Sequence, residues 1–143
     1  MQVQSQSVLG AIGRAQNILG VDTALNAGST TLCTVNLGLC IPGQIILVNA
    51  RGNLSHAGAG TAKQTFFVDA STGTCTTDNP SPAASALQSA LVALGDTWGA
   101  TMQALFKVTV AGTFIALLKG TSADAAATAN NALNWLDVLK FNR

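Results

Sequence analysis

Apolar side chains recur along this chain in two rhythms, and each change of rhythm marks an element. From about Gln4 to Leu19, the residues Val8, Ile12, Ala15 and Leu19 fall at steps of three or four, the spacing of one face of a 3.6-residue helix. Gly20 follows, where a left-handed residue ends a helix. A longer stripe runs through Leu87, Leu91, Leu94, Trp98, Met102 and Leu105 behind a Ser81-Pro82 start, and it predicts a long helix over Pro82–Leu105. Gly95 and Gly99 interrupt that stripe at about 1 kcal/mol each. The run Thr121-Ser122-Ala123-Asp124 reads as a capping box opening a helix over Ser122–Lys140. Ala125, Ala129, Ala132, Leu133, Leu136 and Leu139 make its core-facing stripe, with Trp135 and Val138 on a second, narrower face.

Elsewhere the rhythm is that of strands. Thr31–Cys40 and the apolar run Ile45–Val48 flank a turn at Pro42-Gly43 and predict a hairpin, its second strand central in the sheet. Thr65–Asp69 and Thr74–Thr77 predict two more strands, and alternation over Lys107–Leu118 another. Asn49–Ala62, with its scattered glycines, reads as one long loop. The expected fold class is therefore α+β: a small antiparallel β-sheet packed with an N-terminal helix, a long central helix and a C-terminal helix. A single domain over residues 1–143 would comprise an N-terminal helix or arm (1–29), a β-rich part (30–78) and a helix–strand–helix part (79–143). A competing reading takes Thr97–Leu118 as one membrane-spanning helix. It is disfavoured, because Lys107 at mid-bilayer costs roughly 2.5–3.5 kcal/mol.

Composition changes the picture more than any motif. Charged residues are only 9% of the chain, glutamate and tyrosine are absent, and the net charge is +1. An ordinary soluble domain carries about 25% charge. Hydrophobic residues at 48% exclude a disordered chain, and the few scattered basic residues exclude specific nucleic-acid recognition. A surface covered by small neutral side chains with little net repulsion favours self-association. The first residues show neither the basic nor the apolar segment of a secretory signal.

Candidate chemistry is sparse. His56, the sole histidine, adjoins Ser55, but with Asp69, Asp78 or Asp96 it makes no positioned triad, and it reads as a solvated loop residue. Cys33, Cys40 and Cys75 with His56 lack the close spacing of a structural zinc site. Gly58-Ala-Gly60-Thr-Ala-Lys63 lacks the strand-to-helix setting of a phosphate cradle. A disulfide between Cys40 and Cys75, or between Cys33 and Cys40, stays open. No catalytic, cofactor-binding or metal residue is expected, and no enzyme.

Low charge, many small polar residues and scarce catalytic side chains are similar in style to virion coat subunits and extracellular filament subunits. That resemblance implies a non-enzymatic structural subunit that assembles with itself, in a virion or outside the cell. A small non-catalytic binding module forming a discrete oligomer, and a membrane protein with a span near 97–118, are the alternatives. Subunit contacts are expected at Val8, Ile12, Leu19, Phe114, Ile115, Trp135 and Val138, whose apolar surface exceeds what one small core can cover.

Overall fold

The computed structural model of the protein describes residues 11–78, 87–124 and 126–142. Among these the chain is built of strands alone: β1 (Ala11–Ile18), β2 (Thr23–Leu25), β3 (Thr30–Cys40), β4 (Ile45–His56), β5 (Thr61–Asp69), β6 (Thr76–Asp78), β7 (Leu87–Ala93), β8 (Thr97–Val110), β9 (Gly112–Ser122), β10 (Ala127–Ala129) and β11 (Trp135–Phe141). They form two antiparallel sheets packed as a sandwich. One has seven strands, in which β4 pairs β8 along one edge and both β11 and β10 along the other, with β1, β2 and β6 outermost. The second has four strands in the order β3-β9-β5-β7.

The expected α+β class is thus corrected to all-β, and the reason lies in the arithmetic of spacing. A step of four residues keeps a side chain on one face of a helix and equally on one face of a strand. Trp98 and Met102 do share a face, but Ala100, Ala104, Phe106 and Val108 share it too, while Thr97, Thr101, Gln103 and Lys107 alternate on the other. The small alanines hid a period of two running the length of β8. Gly95, at φ +82°, turns the chain between β7 and β8, a conformation no helix interior holds. The expected start at Ser81-Pro82 lies outside the described residues, as do Val8 and Ala125. The expected C-terminal helix is replaced by the short buried β10 and by β11, where Leu136 and Val138 point inward and Trp135, Asp137 and Leu139 outward. Residues 11–18 of the expected N-terminal helix form β1, paired along β11.

The expected loop over Asn49–Ala62 is corrected as well. Strand β4 continues to His56, with Ala50, Gly52, Leu54 and His56 turned inward, and only residues 57–60 connect it to β5. Gly52 has a packing reason: a β-carbon there would collide with the ring of Phe66, which stacks on Trp98 at a centroid distance of 5.4 Å. The strand expected over Lys107–Leu118 breaks at Ala111, where the chain leaves one sheet as β8 and enters the other as β9.

The core fills the space between the sheets. Ile46, Val48, Leu54, Leu136 and Val138 on one side face Val35, Phe66, Phe114, Ala116 and Leu118 on the other, all buried. Each large apolar side chain so enclosed contributes about 1.5–3 kcal/mol.

Candidate assembly surface

Strand pairing fixes which side chains meet on the outer face of the larger sheet. In register across β1, β11, β4 and β8 lie Arg14, Leu139, Leu47 and Leu105, and beyond them Phe141, Ile45 and Lys107. A solvated sheet face ordinarily alternates polar outward; here a band of leucine crosses it. Next along, Asp137, Asn49 and Gln103 align, and Gln103 Nε2 donates to Asn49 Oδ1 at 2.8 Å. Ile12, Arg14, Leu47, Asp137, Leu139 and Phe141 line a groove of about 670 Å³.

One ion pair sits in that groove. Arg14 Nε donates to Asp137 Oδ1 at 2.8 Å and Arg14 Nη2 to Oδ2 at 3.2 Å, a two-pronged contact that raises the guanidinium pKa. It neutralises both charges, so the groove presents apolar surface around a satisfied pair. Such a surface binds by burying area, with little charge to steer or repel.

Of the expected contact residues, the structure brings Ile12 and Trp135 to this face. Ile12 is 51% exposed at the groove, and Trp135 is half-buried, in register with Arg51 and Ile18. Ile115 lies half-buried on the outer face of the smaller sheet opposite Asn36. Leu19, Phe114 and Val138, also expected at contacts, lie buried in the protein's own core. Sequence reasoning missed Leu47, Leu139 and Phe141, because outward leucines in a strand are visible only once the inward set is known. Leu87 and Leu91 of β7 add further exposed apolar surface on the smaller sheet, Leu91 at 74%.

His56 is not a solvated loop residue: it is buried at one end of the sandwich, where three connections meet it. Its backbone N–H donates to the Asp96 carbonyl, its carbonyl accepts from Gly95 N–H, and its Nε2 lies 2.9 Å from Asp124 Oδ2. Gly58 covers the pair so closely that a β-carbon there would lie 2.5 Å from Asp124 Oδ2. Ser122 Oγ donates to Asp124 Oδ1 at 3.1 Å, and Ser55 Oγ to Asn130 Oδ1 at 3.2 Å. Neither hydroxyl is aimed at the imidazole, so the cluster braces the three connections and sets up no nucleophile–base contact. Cys33, Cys40 and Cys75 are free thiols.

No family model matches the sequence, and no curated protein matches it. Solved structures share its fold. A chain of the viral particle of infectious bursal disease virus is 10% identical with a TM-score of 0.52, the match covering 90% of this chain and 31% of that one. A chain of the VP2 subviral particle of the same virus is 11% identical with a TM-score of 0.51, over 88% and 32%. The present chain spans about a third of the length of those chains, and likeness at such identity is likeness of fold. A weaker match, to the Bacillus endospore appendages described as disulfide-linked pili, has a TM-score of 0.36 at 17% identity over 91% and 88%, and bears on neither fold nor function.

Proposed function

We propose that the protein is a non-enzymatic structural subunit that assembles with further copies of itself, as a virion coat protein or a subunit of an extracellular filament. The observation that carries this reading is the leucine band and its groove on the outer face of the larger sheet, with the Arg14–Asp137 charges already paired within it. The occupant is a second copy. A net charge of +1 and a charged fraction of 9% leave almost nothing to hold copies apart, and nothing to attract a polyanion. The fold shared with capsid chains supports the reading at the level of architecture. The helical membrane span near 97–118 is withdrawn, since that segment forms β8 and β9, and no helix among the described residues is long and apolar enough to cross a membrane.

Light scattering and negative-stain microscopy on detergent-free protein test the proposal. Large regular particles are the expected result, and Ile12→Asp should reduce them to small species without lowering the melting temperature of the subunit. A wild-type monomer at high concentration overturns the proposal, and a small discrete oligomer favours the binding-module reading instead.

A further inference from the structure

Cys40 closes β3 and is fully buried, and Gly112 opens β9 directly opposite, as its partner in register. Paired residues project from the same face of a sheet, so the hydrogen that Gly112 carries in place of a side chain points the way the Cys40 thiol does. Cys75 occupies that space. A β-carbon on Gly112 would lie 2.5 Å from the Cys75 nitrogen and 2.8 Å from its Cα.

The backbone there is pinned. Thr74 and Cys75 N–H both donate to the Thr113 carbonyl, at 2.9 and 3.2 Å, and Thr113 N–H donates to Thr74 Oγ1 at 2.8 Å. Paired antiparallel residues have Cα atoms about 4.5–5.5 Å apart. Cys75 is thus seated over the residue paired with Cys40, which makes the two cysteines neighbours, and a disulfide requires a Cα separation of roughly 4.4–6.8 Å. Burial is the main reason the Cys40 thiol pKa is raised; Lys140 lowers it, and the nearby Cys75 adds to the rise.

We propose that Cys40 and Cys75 form an intramolecular disulfide that staples the end of β3, in the smaller sheet, to the approach to β6, in the larger. Cys33 is left out. It lies on the same strand as Cys40, roughly 20 Å away at about 3.3 Å per residue, and its Sγ donates to the Asn134 carbonyl at 3.7 Å. Burial pushes its thiol pKa up to about 11, which keeps it unreactive.

The oxidant is a low-molecular-weight disulfide. The Cys75 thiol, the less buried of the two, loses its proton and attacks one sulfur of that disulfide, forming a mixed disulfide and expelling one small thiol. Cys40 then loses its proton and attacks the Cys75 sulfur, expelling the second small thiol. Two protein thiols have given up two electrons and two protons, and the reagent is reduced to two thiols. The inference does not depend on assembly, because the bridge lies within one chain.

The test is incubation with oxidised glutathione, followed by alkylation under denaturing conditions, non-reducing proteolysis and mass spectrometry. One alkylated cysteine, Cys33, and a peptide joining Cys40 to Cys75 are expected, with a melting temperature about 10 °C above that of the reduced protein. Cys33→Ser should leave the bridge intact, and Gly112→Ala should slow its formation by pushing Cys75 away. Three alkylated cysteines, a bridge that includes Cys33, or covalent dimers would each overturn the proposal.

Discussion

His56 Nε2 lies 2.9 Å from Asp124 Oδ2, and the imidazole is wholly shielded from solvent. The bond to Asp124 raises the histidine pKa above 6.5 against the opposing pull of burial. The same bond holds Asp124 below 3.8. The histidine's contribution to stability is therefore complete below 6.5 and is lost as pH climbs through the raised value; that of Asp124 is present above 3.8 and is lost as pH falls through the lowered one.

The melting temperature should accordingly decline as pH rises above 6.5, and His56→Gln should flatten that decline. As the chain has a single histidine, its proton NMR titration needs no assignment. A midpoint at or below 6.5 defeats the prediction.

Gly52→Ala should destabilise the protein by about 1–3 kcal/mol, the usual cost of overpacking, because the added methyl must displace the Phe66 ring from its stack on Trp98. Gly99→Ala is the control. Its β-carbon would lie 3.2 Å from Asn53 Nδ2, the end of a side chain that can move, and 3.6 Å from the Gly52 carbonyl oxygen, an ordinary contact. Urea denaturation of the two variants compares them, and equal losses would show that the ring contact is not the cause.

These two glycines also show how much the sequence disclosed. The strands at Thr31–Cys40, Ile45–Val48 and Thr65–Asp69 were legible because branched, aromatic and other apolar residues concentrate there, whereas the strand expected over Thr74–Thr77 begins only at Thr76. From Asn49 to His56 the inward set is Ala50, Gly52, Leu54 and His56, mostly small or polar residues, with Phe66 of β5 against Gly52 and Asp124 of the connection after β9 against His56. No window of local sequence contains those partners. Leucine at steps of four was ambiguous between the two periods, and strand pairing decided it. At the candidate surface, Ile12 and Trp135 were expected from apolar surplus, whereas the outward placement of Leu47 and Leu139 needed the register.

Asp69→Asn should cost about 2 kcal/mol at neutral pH. Lys119 Nζ at 2.8 Å, then the Ser71 hydroxyl and backbone N–H, hold this carboxyl down to about 2 from 3.8. Its stabilisation is present above 3.8 and lost as pH falls toward about 2. Thermal melts of wild type and variant should therefore diverge at neutral pH and converge in strong acid; a constant gap would exclude the charge as its source.

Ala132→Gly should stabilise by about 0.5–1 kcal/mol. Ala132 stands at φ +56°, where its methyl is crowded, yet its N–H donates to the Leu19 carbonyl at 2.9 Å, so the turn keeps its shape when the methyl is removed. Chemical denaturation of the variant measures the gain, and a loss would mean that the alanine's restriction of the unfolded chain outweighs the strain.

β11 lies between β1 and β4 in the larger sheet, although it is the last strand in sequence. On a ribosome adding about 5–20 residues each second, β1 has no partner on its paired edge, and β4 shows a bare edge, until β11 emerges. Closure of the larger sheet thus waits on the emergence of β11. During those seconds the uncovered edge of β4 is a template for the same strand on a neighbouring nascent chain. Ribosomes crowded on one message would be where mispairing begins, and a holding chaperone that releases only after β11 appears would suppress it.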